Sequence, residues 1–134
     1  MKLPAHVLFR KELSLMVWKP QGILDQALVN EIVAFVEAAE ERVQKPFNRF
    51  ADLSALDAVD LNFSFVFHTA LHRRLAFTSH PPAKTAFYVT SPDTTHYVKL
   101  HAMLTDHSPL YVSVFTERPA AAKWLGVPVE ALRV

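Results

Sequence analysis

The chain contains no cysteine and only two glycines, Gly22 and Gly126. The lack of cysteine excludes disulfides, thiolate nucleophiles and cysteine-based metal sites. Two isolated glycines cannot form a Walker loop or a dinucleotide-binding fingerprint, both of which need several glycines close together. The sequence therefore carries none of the common motifs for nucleotide binding or thiol chemistry.

A large excess of charge of either sign is also missing. Fourteen Lys and Arg residues stand against thirteen Asp and Glu, which gives a formal net charge of +1. No basic run is long enough to follow a phosphate backbone, so we expect no nucleic-acid partner.

Long apolar runs are absent as well. No stretch approaches the roughly 20 apolar residues that cross a bilayer, and the start, Met1-Lys2-Leu3-Pro4, lacks the apolar segment of a signal peptide. Together with the absence of cysteine, these features predict a cytoplasmic protein without membrane insertion.

The residues that are present favour a single packed core. Hydrophobic residues make up 51% of the 134 residues and include ten phenylalanines. Since dividing a chain of this length would leave two cores too small to be stable, we expect one domain over residues 1–134.

The first third of the chain predicts a hairpin followed by a helix. Apolar residues alternate over 6–10 and 13–18, which is typical of two paired strands. From Ile23 the period changes to three or four residues, predicting an amphipathic helix of about twenty residues that ends at Lys45-Pro46. A short run over 49–54 predicts a central strand.

The remaining two thirds alternate between helices and strands. A polar loop containing Asp57 and Asp60 leads into a second helix, whose predicted inward stripe is Phe63, Val66, Phe67, Ala70 and Leu71. The later predicted elements are a strand over 84–90, a helix from Ser91 to about Thr105, a strand over 110–115 and a short helix that holds Trp124 and ends at Gly126. We expect Trp124 to pin this last helix to the sheet. The resulting order, β-β-α-β-α-β-α-β-α, predicts an α/β fold with a mixed, mostly parallel sheet and helices packed on it.

Three local patterns, together with this order, resemble the STAS fold and its stand-alone bacterial SpoIIAA-like branch. The patterns are Phe-Ala-Asp-Leu-Ser over 50–54, Lys-Thr-Ala-Phe-Tyr-Val over 84–89, and Val-Ser-Val-Phe over 112–115 followed by Ala-Lys-Trp-Leu over 122–125. The resemblance covers residues 7–126. It implies a non-enzymatic module that acts by docking to another protein or to itself.

In the anti-sigma factor antagonists of that fold, an Asp-Ser-Ser/Thr-Gly motif opens the second helix, and its serine is phosphorylated. The corresponding stretch here reads Val-Asp-Leu-Asn-Phe over 59–63, without the hydroxyl or the glycine. We therefore expect no phosphorylation by kinases of that type. The residues left as a candidate ligand-binding or switch loop, beyond the carboxyl ends of the strands, are Ser54, Asp57, Asp60 and Ser64.

Asp60, Ser64, His68 and His72 follow one another at a spacing of four residues, which places them in one stripe on a helix. An Asp, a Ser and a His suggest a catalytic triad, but the stripe points outward rather than into a dry cleft. His68 and His72 have the spacing of helical zinc ligands, yet the sequence supplies no further ligand in that pattern. We expect no enzymatic activity, no cofactor and no metal.

The same helix carries the first functional hypothesis. A helical projection places Leu61 and Phe65 opposite the predicted inward stripe, with His68 and His72 at the border. An apolar centre with a polar rim is typical of a docking surface, and we expect this surface to bind a second copy or another protein. The alternative hypothesis is a small-ligand or lipid-binding domain, because the core is rich in aromatic residues and the STAS architecture resembles that of lipid-carrying domains.

Overall fold

The computed structural model describes residues 3–42, 46–78 and 80–133. Strand β1 (Val7–Arg10) and strand β2 (Leu15–Trp18) form the predicted antiparallel hairpin around a short 3-10 helix. Across the described ranges, no helix is long and apolar enough to cross a membrane.

Strand β3 (Gly22–Asp25) precedes helix α1 (Gln26–Arg42), so the helix begins three residues later than Ile23. The Asp25 carboxylate caps it by accepting a hydrogen bond from the Leu28 amide at 2.9 Å. The predicted helix end at Lys45 lies outside the described residues.

Strand β4 (Asn48–Asp52) is the predicted central strand. It is followed by strand β5 (Leu56–Asp60), which pairs in parallel with β3 as a separate two-stranded sheet. The prediction of a loop around Asp57 and Asp60 was therefore wrong. Ile23 and Leu24 of β3 fit the period of the helix that follows, and the two aspartates of β5 are typical of a polar loop, so neither strand stands out in the sequence. Their pairing is decided by contacts between distant segments.

The rest of the chain continues the alternation. The elements are helix α2 (Phe63–Ala76), strand β6 (Ala83–Tyr88), helix α3 (Pro92–Leu104), strand β7 (Leu110–Phe115), helix α4 (Arg118–Leu125) and a final 3-10 helix (Val129–Leu132). Gly126 ends α4 in the left-handed conformation, at φ 74°, as a glycine after a helix commonly does.

The main sheet has the strand order β1-β2-β4-β6-β7, and every pair except the β1–β2 hairpin is parallel. One face packs against α1 and α3, through residues such as Ile32, Val36 and Val98. The other face packs against α4 and the final 3-10 helix. Helix α2 lies against α3 on the α1 side of the sheet. The predicted α/β fold with a mixed, mostly parallel sheet is confirmed.

Trp124 is half-buried against the α4 side of the sheet. Its ring centroid lies 5.6 Å from that of Phe115 on β7. The Lys84 ammonium lies 5.2 Å from the Trp124 ring and donates to the Trp124 carbonyl at 2.8 Å. The side chain thus links α4 to two strands.

Candidate ligand cavity

A cavity of about 160 Å³ lies between the main sheet and helices α1, α2 and α3. Its walls are mostly aliphatic and aromatic, and each surrounding helix contributes to them. The wall includes Val33 of α1, Phe65 and Arg73 of α2, Val98 and His101 of α3, and Arg49, Thr85 and Phe87 of the sheet.

Two arginines on the cavity wall share one buried glutamate. Arg49 Nη2 donates to Glu40 Oε2 at 2.5 Å, while Arg73 donates to both carboxylate oxygens of Glu40, at 2.7 and 3.1 Å. The side chains of Arg49, Arg73 and Glu40 are 5%, 6% and 4% exposed. Arg73 also donates to Glu37, whose side chain is 27% exposed. The three buried charges hold the ends of α1, α2 and the central strand together.

The pKa values in this cluster follow from burial and pairing. Burial raises the pKa of Glu40, but the hydrogen bond from Arg73 and the charges of both arginines bring that pKa below its ordinary value. Burial, opposed by Glu40 and reinforced by the charge of Arg73, lowers the pKa of Arg49 to about 10. Glu40 is thus ionised and Arg49 protonated at neutral pH.

Arg49 is incompletely hydrogen-bonded. Its Nε is buried and has no partner among the described residues. The guanidinium lies 4.4 Å from the ring centroid of Phe47 and 5.3 Å from that of Phe77, so aromatic rings occupy two of its sides. An unpaired buried N–H is costly, which makes Arg49 the least satisfied group of the wall.

His101 is the histidine of the cavity wall. Burial lowers its pKa from 6.5 to about 4, and the nearby charge of Arg73 lowers it as well. The Phe87 ring stands edge-on to the imidazole at 5.9 Å. His101 is therefore neutral at physiological pH.

This shift predicts an acid-sensitive fold. Between pH 6.5 and about 4 the unfolded chain binds a proton at His101 that the folded chain does not, so stability falls as the pH falls through that window. Urea unfolding at pH 7.5 and pH 5.0 should differ by about 2 kcal/mol in wild type. The carboxylates with lowered pKa values, Glu40 and Asp52, lose their contribution only below their ordinary values of 4.5 and 3.8.

The control for this prediction is a pair of histidine variants. His101→Gln should remove most of the difference between the two pH values, whereas His107→Gln, whose imidazole is 88% exposed, should keep it. An equal loss of stability in wild type and His101→Gln would show that other groups cause the acid sensitivity.

Among solved structures, the chain is similar to the crystal structure of an uncharacterized protein of the DUF3478 family from Shewanella loihica PV-4, which has a SpoIIAA-like fold. The TM-score is 0.53, the identity is 16%, and the match covers 83% of each chain. The chain has a SpoIIAA-like fold. No family model and no curated protein matches the sequence.

In this SpoIIAA-like domain, helix α2 turns a different face to solvent than predicted. Leu61 packs against the core and Phe65 lines the cavity, both half-buried, so the prediction that they form an outward patch was wrong. The exposed apolar residues of α2 are instead Phe63, Phe67, Leu71 and Leu75, at 62%, 37%, 43% and 67% exposure. Of the predicted inward stripe, Val66 and Ala70 are buried.

The rotation of α2 has a physical cause at Arg73. Val66, Ala70 and Arg73 are the buried positions of the helix, and the last of them is a charged residue. A sequence pattern counts an arginine as a surface residue, whereas here Glu40 from α1 neutralises it inside the protein. If Glu40 is left out of account, the face of α2 that carries Phe63 is more apolar than the face that carries Arg73. The sequence pattern therefore placed the Phe63 face inward.

The histidines of α2 remain on the surface, as predicted, but they do not form a site with Asp60. His68 Nδ1 lies 2.7 Å from the carbonyl oxygen of Ser64 in the preceding turn. His72 Nε2 lies 3.0 Å from Glu37 Oε1. Within the described ranges, no three residues of the types His, Cys, Asp and Glu are placed to hold a metal ion.

The predicted switch-loop residues lie in different places. Ser54 follows β4, and its hydroxyl donates to the buried Asp52 at 2.6 Å. Arg118 of α4 donates to the same carboxylate at 3.0 Å. Burial raises the pKa of Asp52, but the hydrogen bonds from Ser54 and Arg118 leave it below its ordinary value. This group anchors α4 on the sheet face away from α1.

The start of α2 replaces the serine motif of the SpoIIAA-like antagonists with an ordinary helix cap. Asn62 is the N-cap, and its side chain accepts a hydrogen bond from the Phe65 amide at 2.8 Å. Ser64 is exposed in the first turn of the helix, and Asp57 and Asp60 are exposed on β5. These residues do not line the cavity.

Proposed function

We propose that this SpoIIAA-like domain is a non-enzymatic, cytoplasmic module that binds a small apolar ligand in the cavity beneath α1, α2 and α3. The observation that carries the proposal is the cavity of about 160 Å³ with largely apolar walls. An apolar cavity of about 150 Å³ in another protein stays dry and takes up benzene. A ligand of that size fits this cavity without rearrangement of the helices.

The energetic cost of an empty cavity supports this function. Enclosed cavities in protein cores cost about 24 cal/mol per Å³, so about 4 kcal/mol is the upper bound for this volume of 160 Å³, which is partly open to solvent. Domains are stable by only about 5–15 kcal/mol in total. A ligand that fills the cavity would recover part of this cost and stabilise the folded state.

The polar groups on the cavity wall favour binding over catalysis, because they are poorly suited to act as a general acid or base. A general acid or base works best with a pKa near the operating pH. The pKa of His101 is about 4, far from neutrality. The Tyr97 hydroxyl donates to the Leu61 carbonyl at 2.8 Å and joins α3 to the start of α2.

Filling the cavity with a side chain should abolish ligand binding. Val33 of α1 is half-buried on the cavity wall, and Val33→Phe places a ring in the space. We expect toluene to raise the melting temperature of wild type, as a ligand stabilises by RT ln(1 + [L]/Kd). Val33→Phe should melt at or above the wild-type temperature and no longer respond to toluene.

The matched control adds a ring outside the cavity, on the solvent-exposed face of α2. Leu71→Phe lies on the exposed face of α2 and should keep the full response to toluene. If Val33→Phe responds as strongly as wild type, the probe binds elsewhere and the proposed function is wrong.

The exposed face of α2 supports a second candidate, a docking module whose partner is a second copy of the chain. Phe63, Phe67, Leu71 and Leu75 form a continuous apolar stripe, and the first two rings stack with centroids 6.1 Å apart. Asp60, exposed at the end of β5, lies just before the helix, and the last turn of the helix carries Arg74, which donates to the carbonyl oxygens of Leu104 and Asp106. In a two-fold antiparallel pairing, Asp60 of each copy lies near the basic last turn of its partner's α2, and the helix dipoles oppose each other favourably.

A further inference from the structure

We infer that the ligand is a monocarboxylic acid with a small apolar body, bound with its carboxylate on Arg49 and its apolar part between α1, α2 and α3. This inference rests on the proposed function and adds the chemical class of the ligand. It is carried by the position of one incompletely paired, buried guanidinium on a largely apolar wall.

Within the described part of the chain, the Nε–H group of Arg49 is an unused hydrogen-bond donor. Among the described residues, Arg49 is hydrogen-bonded through Nη2 to Glu40, and its Nε–H has no partner. A guanidinium presents its N–H groups in a planar fork that matches a carboxylate. A ligand carboxylate approaching this edge would satisfy Nε–H together with a remaining N–H of the same group.

The buried charges around Arg49 are not balanced. Arg49 and Arg73 are each more than nine-tenths buried, and the buried carboxylate between them belongs to Glu40. Glu37 adds a negative charge for Arg73, but it is 27% exposed and also pairs with His72. The buried part of the cluster therefore carries one positive charge more than negative, which an anionic ligand would offset.

The neighbours of Arg49 in the sheet, on the floor of the cavity, offer few other polar groups. Arg49 and Thr85 are register partners on β4 and β6, and both line the cavity. Thr85 adds one more polar side chain to the cavity wall, whereas Met16, the register partner on β2, is apolar. Few donors in an apolar setting suit a singly charged carboxylate better than a phosphate, which has more oxygens to satisfy and more charge to desolvate.

The test compares ligands that share one apolar chain and differ in the head group. Binding of octanoate, 1-octanol and octylamine to the full chain is measured by titration calorimetry at pH 7.5. We expect octanoate to bind about tenfold or more tightly than 1-octanol, because hydrogen bonds to charged groups are stronger than neutral ones. Octylamine should bind more weakly than 1-octanol.

A variant and a spectroscopic signal locate the carboxylate. Arg49→Met should bind octanoate no better than it binds 1-octanol. Arg118→Met, on the other face of the sheet, should bind both as wild type does. In wild type, the Arg49 Nε–H resonance in a ¹H–¹⁵N spectrum should shift with octanoate and not with 1-octanol, a readout that remains usable if Arg49→Met does not fold.

The outcomes separate this inference from the proposed function. Equal binding of octanoate and 1-octanol, or an octanoate preference that survives Arg49→Met, overturns the carboxylate site and leaves the apolar cavity as the binding site. Failure of all three compounds to bind contradicts the proposed function itself.

Discussion

Glu40→Gln should lower the free energy of unfolding by about 3–5 kcal/mol, as breaking a buried ion pair commonly does. The Glu40 side chain is 4% exposed and accepts hydrogen bonds from both Arg49 and Arg73. The amide of glutamine removes the negative charge and turns an N–H group toward one guanidinium. Arg49 then has no anionic partner in the part of the chain that the structure describes. Urea unfolding at pH 7.5 measures the loss.

The matched control removes the whole cluster. In a triple variant, Glu40→Leu with Arg49→Met and Arg73→Met, the buried charges are replaced by apolar side chains of similar length. Such replacements are often neutral or stabilising. We expect the free energy of unfolding of the triple variant to exceed that of Glu40→Gln by about 3 kcal/mol. A Glu40→Gln variant that loses less than about 1 kcal/mol would show that water screens these charges.

Phe67→Glu should convert a two-fold dimer into a folded monomer. Phe67 lies in the exposed apolar stripe of α2, 37% exposed, between Phe63 and Leu71. A carboxylate at the centre of a paired apolar surface is costly to desolvate, whereas on a free helix surface it costs little. Light scattering at high micromolar concentration gives the mass of each form, and circular dichroism shows whether the fold is retained.

Phe65→Glu is the control on the opposite face of the same helix. Because Phe65 lines the cavity, the substitution buries a charge inside the domain and should destabilise the monomer itself. A wild-type chain that stays monomeric at high micromolar concentration contradicts pairing through α2. The proposed cavity function does not depend on that result.

Much of the architecture could be predicted because it depends on local patterns. The hairpin follows from alternation over Val7–Arg10 and Leu15–Trp18, and the four helices follow from apolar periodicity and caps such as Gly126. The β3–β5 pair could not be recognised because Ile23 and Leu24 continue the period of α1 and the two aspartates of β5 are typical of a loop.

The candidate site could not be predicted from the sequence, and the reasons lie in particular residues. Arg49, Glu40 and Arg73 come from β4, α1 and α2, so their contact exists only in the folded chain. The pattern of α2 offers two apolar faces, and the arginine on the buried one made the other face look like the core. A cavity is a gap between side chains that are each ordinary core residues, and periodicity carries no information about it.

A methyl NMR titration of the wild-type chain with octanoate tests directly whether a ligand enters the cavity. If the ligand enters the cavity, the methyl groups of Val33 and Val98, which line it, should show chemical-shift changes that saturate with octanoate concentration. Intermolecular NOEs should connect these methyl groups to the octanoate chain. The methyl groups of Leu71 and Leu75, on the exposed face of α2, should not respond directly. Shifts confined to Leu71 and Leu75, or no saturable shift at Val33 and Val98, would contradict binding in the cavity.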